Sequence, residues 1–183
     1  MLLAACSSRE RQLANLPIAV TRPESKAVDI GTVISNAHNE VEKVLPDANL
    51  TFFSLVAECK ALSDLEGLVN LDFSQTQWTL FGERVFTARV VVDTVQQTLS
   101  MKIEDETEQN LITEPLELSG KSTLEIASTL ENYLDSVGKC NGTVVLARAS
   151  TNSPWSVRCG PPDQVFINCI KIDPETGDIT EQR

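Results

Sequence analysis

A helical period followed by strand-like text occurs twice along this 183-residue chain, and that doubled order limits its fold more than any other feature. In the first instance Ile30, Val33, Ile34, Ala37, Val41, Val44 and Leu45 recur at spacings that line one helical face. Asp29 is placed as its N-cap, and Pro46 ends it. Strand text follows from Leu50 to Cys59, with Thr51, Phe53, Leu55, Ala57 and Cys59 on one face, and then from Leu68 to Phe73. Trp78 to Phe81 leads to an expected turn at Gly82-Glu83, and Arg84 to Asp93 is again β-branched and apolar. Val95, Leu99, Met101 and Ile103 alternate with polar residues, as in a strand with one wet face.

The second instance begins at Ser122-Thr123-Leu124-Glu125, which fits a capping box. Leu124, Ala127, Leu130, Leu134 and Val137 form its apolar stripe, and Gly138 is placed to end the helix. Strands are expected at Thr143 to Ala149, Trp155 to Cys159 and Val165 to Ile172, with a last turn at Asp173 to Asp178 before Ile179-Thr180. The acidic stretch from Glu104 to Glu117 reads as a solvated connector. Internal duplication is the simplest organisation. The expected fold is α+β, with two repeats at 29–113 and 114–183, each one helix packed on an antiparallel sheet of three to four strands.

Charge and cysteine usage bound the surroundings. Fifteen Lys and Arg against 26 Asp and Glu give a net charge of -11, which repels phosphate backbones and argues against nucleic-acid binding. Leu3-Ala4-Ala5-Cys6 resembles the lipobox of bacterial lipoprotein signal peptides, with Cys6 as the lipid site and thus a membrane contact through the lipid. A truncated signal peptide and an accidental match both remain open, because four apolar residues after Met1 are a short h-region. Residues 7–28, polar with two prolines, read as a flexible tether. Setting Cys6 aside leaves Cys59, Cys140, Cys159 and Cys169, an even set compatible with two disulfides in any of three connectivities. In a hairpin centred on Gly160 to Gln164, Cys159 would oppose Val165 and Cys169 would oppose Trp155, which leaves Cys140 as a candidate partner for Cys159. None of the four forms a CxxC pair, so no metal site is expected. An oxidising, extracytoplasmic location in the cell envelope follows from these features together.

Trp155-Ser156-Val157 and the run Ile170-Lys171-Ile172-Asp173-Pro174-Glu175-Thr176-Gly177-Asp178-Ile179 resemble the PepSY domain and its cystatin-like relatives. The first half is similar in a looser way, through Leu45-Pro46-Asp47-Ala48-Asn49-Leu50 and Trp78. The resemblance implies a cystatin-like, non-catalytic envelope module that binds or restrains a peptidase or another envelope protein. Such a module would take a peptide by β-augmentation or in a groove.

Enzyme readings find little support in the residues. His38 lies near the polar boundary of the first helix with no nucleophile motif beside it. Gly120-Lys121-Ser122 echoes the end of a phosphate loop, but Pro115 stands where the first glycine is needed. No carboxylate pair is singled out and no cofactor is implied. Trp78 and Trp155, the two tryptophans, are expected to serve one core each. Phe52 and Phe53 should point to opposite faces of their strand. An outward ring among Phe52, Phe53, Trp78 and Trp155 would mark an interface with the other repeat or with a partner. The alternatives from other classes are an enzyme or processing factor acting on a cationic substrate, and a purely structural envelope protein.

Overall fold

The caps named above start both helices. In the computed structural model, which describes residues 12–23, 27–80, 82–106, 114–159 and 167–181, Asp29 accepts the amide of Thr32 at 3.2 Å and its hydroxyl at 2.7 Å. Helix α1 (Ile30–Glu42) follows. Ser122 and Glu125 complete the reciprocal capping box of α2 (Thr123–Ser136), and Gly138 takes φ +67° just beyond its end.

Nine strands are found among the described residues: β1 (Gln12–Pro17), β2 (Asn49–Glu58), β3 (Leu68–Thr79), β4 (Gly82–Asp93), β5 (Thr98–Glu106), β6 (Thr143–Arg148), β7 (Trp155–Cys159), β8 (Ile167–Ile172) and β9 (Ile179–Glu181). They form one antiparallel sheet in the order β1-β5-β4-β3-β2-β6-β7-β8-β9. The two expected sheets are therefore continuous. Strands β2 and β6 join them, in register from Phe53 opposite Arg148 to Glu58 opposite Thr143.

Alternation decides which face is buried. Phe53, Leu55 and Ala57 of β2 lie beside Leu71 and Val69 of β3 and beside Leu146 and Val144 of β6. The same face carries Val90 and Val92, Leu99 and Met101, Val157, and Ile170 and Ile172. Val33, Ala37 and Val41 of α1 and Ile126, Leu130 and Leu134 of α2 close over it in one cluster, so both helices cover the same side. The opposite face is mostly polar, with Phe52, Leu68 and Val91 as apolar positions on it. A hydroxyl chain runs across it from Thr51 to Ser74 at 3.1 Å and on to Thr87 at 3.0 Å.

Several expectations are corrected. Residues 7–28 are not wholly a tether, because β1 pairs with β5 and Ile18, Ala27 and Val28 are buried. Thr51 occupies a bulge between Leu50 and Phe52, so its hydroxyl joins the polar face. Strand β3 runs unbroken through Trp78, and the hairpin turns two residues earlier than Gly82-Glu83, since Thr79 already pairs with Gly82. Val95 is an exposed turn residue rather than part of β5, and Val137 is exposed rather than part of the α2 stripe. Within the connector, Leu116 is buried and its amide donates to Leu50 O at 2.6 Å, so that part is seated and not solvated. The Asp173 turn holds as expected: its Oδ1 accepts the amides of Glu175 and Thr176 at 2.9 and 2.8 Å, and Gly177 supplies φ +78°.

Cys59 and Cys140 form a disulfide, with Cα atoms 5.4 Å apart. Cys140 is thus not bonded to Cys159, and of the three connectivities only a Cys159 to Cys169 partnership remains for the other two. Their expected register is corrected as well. Trp155 faces Ile172 and Cys159 faces Ile167, with a bulge after Val157 in which Cys169 has no facing residue. The side chains of Cys159 and Cys169, and all of Cys6, lie outside the described residues.

Hydrogen bonds set the acid response. Thr32 holds the Asp29 carboxyl below its ordinary value of 3.8, and the amides of Thr176 and Glu175 do the same for Asp173. Lys102 lowers Glu104, and Ser122 lowers Glu125, from an ordinary 4.5. In each case the unfolded chain binds the proton first on acidification, so folding loses these contributions as pH falls through the depressed values. The melting temperature should therefore be level in carboxylate-driven terms above about pH 5 and fall steadily below about pH 4.5. A thermal melt series from pH 7 to pH 2.5 checks this; a melting temperature that rises below pH 4 contradicts it.

Candidate functional site: a groove between the helices

Helix α1, the start of α2 and the connector enclose a cavity of about 1040 Å³ above β2 and β3. That volume lies at the upper end of ordinary ligand pockets. Ile30 and Ile34 come from α1, Leu50 from β2, Phe73 from β3, Leu116 and Leu118 from the connector, and Leu124 from α2. These side chains make the floor and walls apolar.

The polar lining has a definite sign. Asp29, Glu42 and Asp47 are among the lining residues, and no Lys or Arg is among the described ones. Both helix N-termini reach the groove, but each already has a carboxylate engaged: Asp29 caps α1, and Glu125 accepts from the amide and hydroxyl of Ser122 at 2.8 and 2.7 Å. Their positive ends are therefore satisfied internally, which leaves a site that disfavours anions. An apolar group with a neutral or cationic neighbour suits it best.

His38 lies in the same wall, where two contacts fix its ring. Its ring stacks on Phe73 with centroids 5.4 Å apart, and Nε2 lies 2.9 Å from Ala48 O. A carbonyl oxygen only accepts, so Nε2 carries the proton. Glu42 Oε1 is 3.7 Å from the same nitrogen, and the ring bridges α1 to the start of β2. Among the described residues, no three His, Cys, Asp or Glu side chains gather as a metal-binding group.

Comparison of the chain with protein-family models, curated proteins and solved structures finds no match.

The aromatic candidates separate cleanly. Phe53 and Trp155 are fully buried and meet edge to face with centroids 5.7 Å apart, so neither offers an outward ring to a partner. Their contact crosses the β2–β6 seam. Phe52 is half-buried on the polar face, as the strand parity requires. Trp78 is 81% exposed, so the expectation of one core tryptophan per half fails: Leu71 and Phe73 already fill the first half, and Trp78 lies beyond them on an overhanging hairpin.

The connector that lines the groove is tied down from the second half. Arg148, buried beside Phe53, donates to Ser119 O at 2.9 Å and to Thr151 O. Thr151 in turn accepts the amide of Glu117 at 2.8 Å and donates to Pro115 O at 3.2 Å. The guanidinium also lies over the Trp155 ring, 5.6 Å from its centroid. Sequence reading missed the groove because its walls come from five separated segments. The one local signal was the alternation of Leu116 and Leu118 around Glu117 within an otherwise acidic run.

Proposed function

We propose that this chain is a non-catalytic, lipid-anchored binding module of the bacterial cell envelope, and that its groove takes an apolar peptide segment with basic neighbours from a peptidase or envelope protein. The carrying observation is the large apolar groove whose charged lining residues, among those described, are all acidic. Sheet edges are weaker candidates. Strand β1 is bulged between Leu13 and Leu16, has Asn15 at φ +56° and ends on Pro17, while β9 has three residues. Such edges discourage β-augmentation.

Two observations support the rest of the reading. The Cys59–Cys140 disulfide is at home in an oxidising compartment, in line with a lipobox at Cys6. The order α1 with β2 to β5, then α2 with β6 to β9, puts the first strand of each set at the centre, antiparallel to the other, with each meander running outward. This arrangement suits a tandem pair of PepSY-like, cystatin-like repeats.

The test is fluorescence anisotropy with two labelled peptides, one alternating Leu with Lys and one alternating Leu with Glu. Binding of the first and not the second is expected. Ile34→Arg, which places a cation in the groove, should weaken it at least tenfold, whereas Val91→Arg, the same charge change on the opposite face, should leave it within about twofold. Equal weakening by both variants would mean general attraction to an acidic protein and would overturn the groove assignment.

A further inference from the structure

Strands β3 and β4 are 12 residues each and outrun their neighbours. Among the described residues, β2 pairs with β3 as far as Ser74 and β5 pairs with β4 as far as Val85. The tip beyond them presents Trp78, 81% exposed, and Leu80, fully exposed. A tryptophan this uncovered adds little to the packing of the fold, and tryptophan is a side chain that suits a membrane interface.

The strand register says what lies at this end. Gln12, the first residue of β1, faces Lys102, which faces Arg89. Following β1 backward leads toward the β5 terminus and the hairpin tip, because Pro17 faces Thr98 at the other end. From Arg89 to Glu83, the partner of Trp78, is six residues, so the tip overhangs the Gln12 row by about 20 Å. Cys6 is also six residues before Gln12, a stretch whose fully extended reach is about 20 Å. A lipid on Cys6 and the ring of Trp78 can therefore meet one plane.

We infer that the β3–β4 hairpin tip is a second membrane contact, in which Trp78 and Leu80 enter the interface of a zwitterionic lipid surface. The inference rests on the lipoprotein reading of Cys6. The occupant is neutral lipid because a chain of net charge -11 is repelled by anionic headgroups. Two exposed side chains bind weakly alone, and the anchor makes their contact intramolecular, with a high effective concentration. The hairpin would then hold the body at a fixed attitude to the bilayer.

The two tryptophans make the test direct, since Trp155 is fully buried and Trp78 exposed. The full chain, carrying a hexahistidine tag at its N-terminus, is tethered to phosphatidylcholine vesicles containing a nickel-chelating lipid. A blue shift of several nanometres and quenching by brominated acyl chains are expected, both lost in Trp78→Phe and reduced when phosphatidylglycerol is added. Emission that stays solvent-like and unquenched overturns the inference. So does a blue shift that grows with protein concentration in the absence of vesicles, which would assign the tip to a second copy of the chain. Mass spectrometry of Cys6 after expression from the complete reading frame in a bacterium tests the underlying reading separately. An unmodified Cys6 overturns the lipoprotein reading and two-point attachment with it, whereas a lipidated Cys6 with unquenched Trp78 overturns the hairpin contact alone.

Discussion

Removing the Cys59–Cys140 bond should cost about 4 kcal/mol of stability, among the largest effects available to a single change in this chain. The two cysteines are 81 residues apart in sequence, and both are buried. Cross-linking a loop of that size removes conformational freedom from the unfolded chain worth roughly 4–5 kcal/mol in the chain-entropy account. In a protein of this size each kcal/mol shifts the melting temperature by about 2–4 °C, so the Cys59→Ala, Cys140→Ala double variant should melt roughly 8–16 °C lower. The double variant is the right comparison because it leaves no buried thiol behind. Calorimetry of both proteins measures the shift, and a loss under about 3 °C would contradict it. Peptide mapping without reductant supplies the independent check. Recovery of the Cys140 peptide joined to Cys159 would overturn the pairing itself.

The position of the bond explains why it matters. Cys59 directly follows β2, and Cys140 precedes β6, so the disulfide closes one end of the seam where the two halves join. Neither cysteine is near the other in sequence, and the pairing follows from β2 lying beside β6, which no local pattern announces. This is the general reason why the helices were legible and the seam was not. Asp29, Ser122 and Glu125 act within one turn, so their residue types specify the helix starts directly. Strand alternation states which residues share a face but not which strand is the neighbour.

Polar text misled where the sheet overhangs. Ser74 to Gln77 reads as a break between two strands, yet β3 continues because its backbone pairs with β4 residue by residue as far as Thr79 opposite Gly82, whatever the side chains. Val95 misled in the other direction, as an apolar residue that prolongs a strand pattern into an exposed turn. Charge was legible only globally, as a net value that disfavours nucleic acid. The groove gives part of it a local place, because Asp29, Glu42 and Asp47 gather there from the α1 cap, α1 and its following turn, with no cation among the described lining residues.

At the other end of the seam, Trp155 and Arg148 should behave as a coupled pair. Trp155→Ala removes a fully buried indole and its edge-to-face contact with Phe53, a change worth roughly 3–5 kcal/mol. Trp155→Phe should cost much less, no more than about 2 kcal/mol, because Nε1 is buried without a hydrogen-bond partner and its loss leaves no acceptor unpaired. Arg148→Ala strands the carbonyls of Ser119 and Thr151 and should cost about 3 kcal/mol. Since the guanidinium lies over the Trp155 ring, the two losses share one interaction, and the double alanine variant should fall short of their sum by at least about 1 kcal/mol. Urea denaturation of the four proteins measures this coupling, and additivity within about 0.5 kcal/mol would deny it. Arg148→Ala should also weaken the Leu/Lys peptide, because Leu116 and Leu118 line the groove on the segment that Arg148 and Thr151 hold in place. A variant that loses stability but keeps full peptide affinity would mean that the connector holds the groove wall without Arg148.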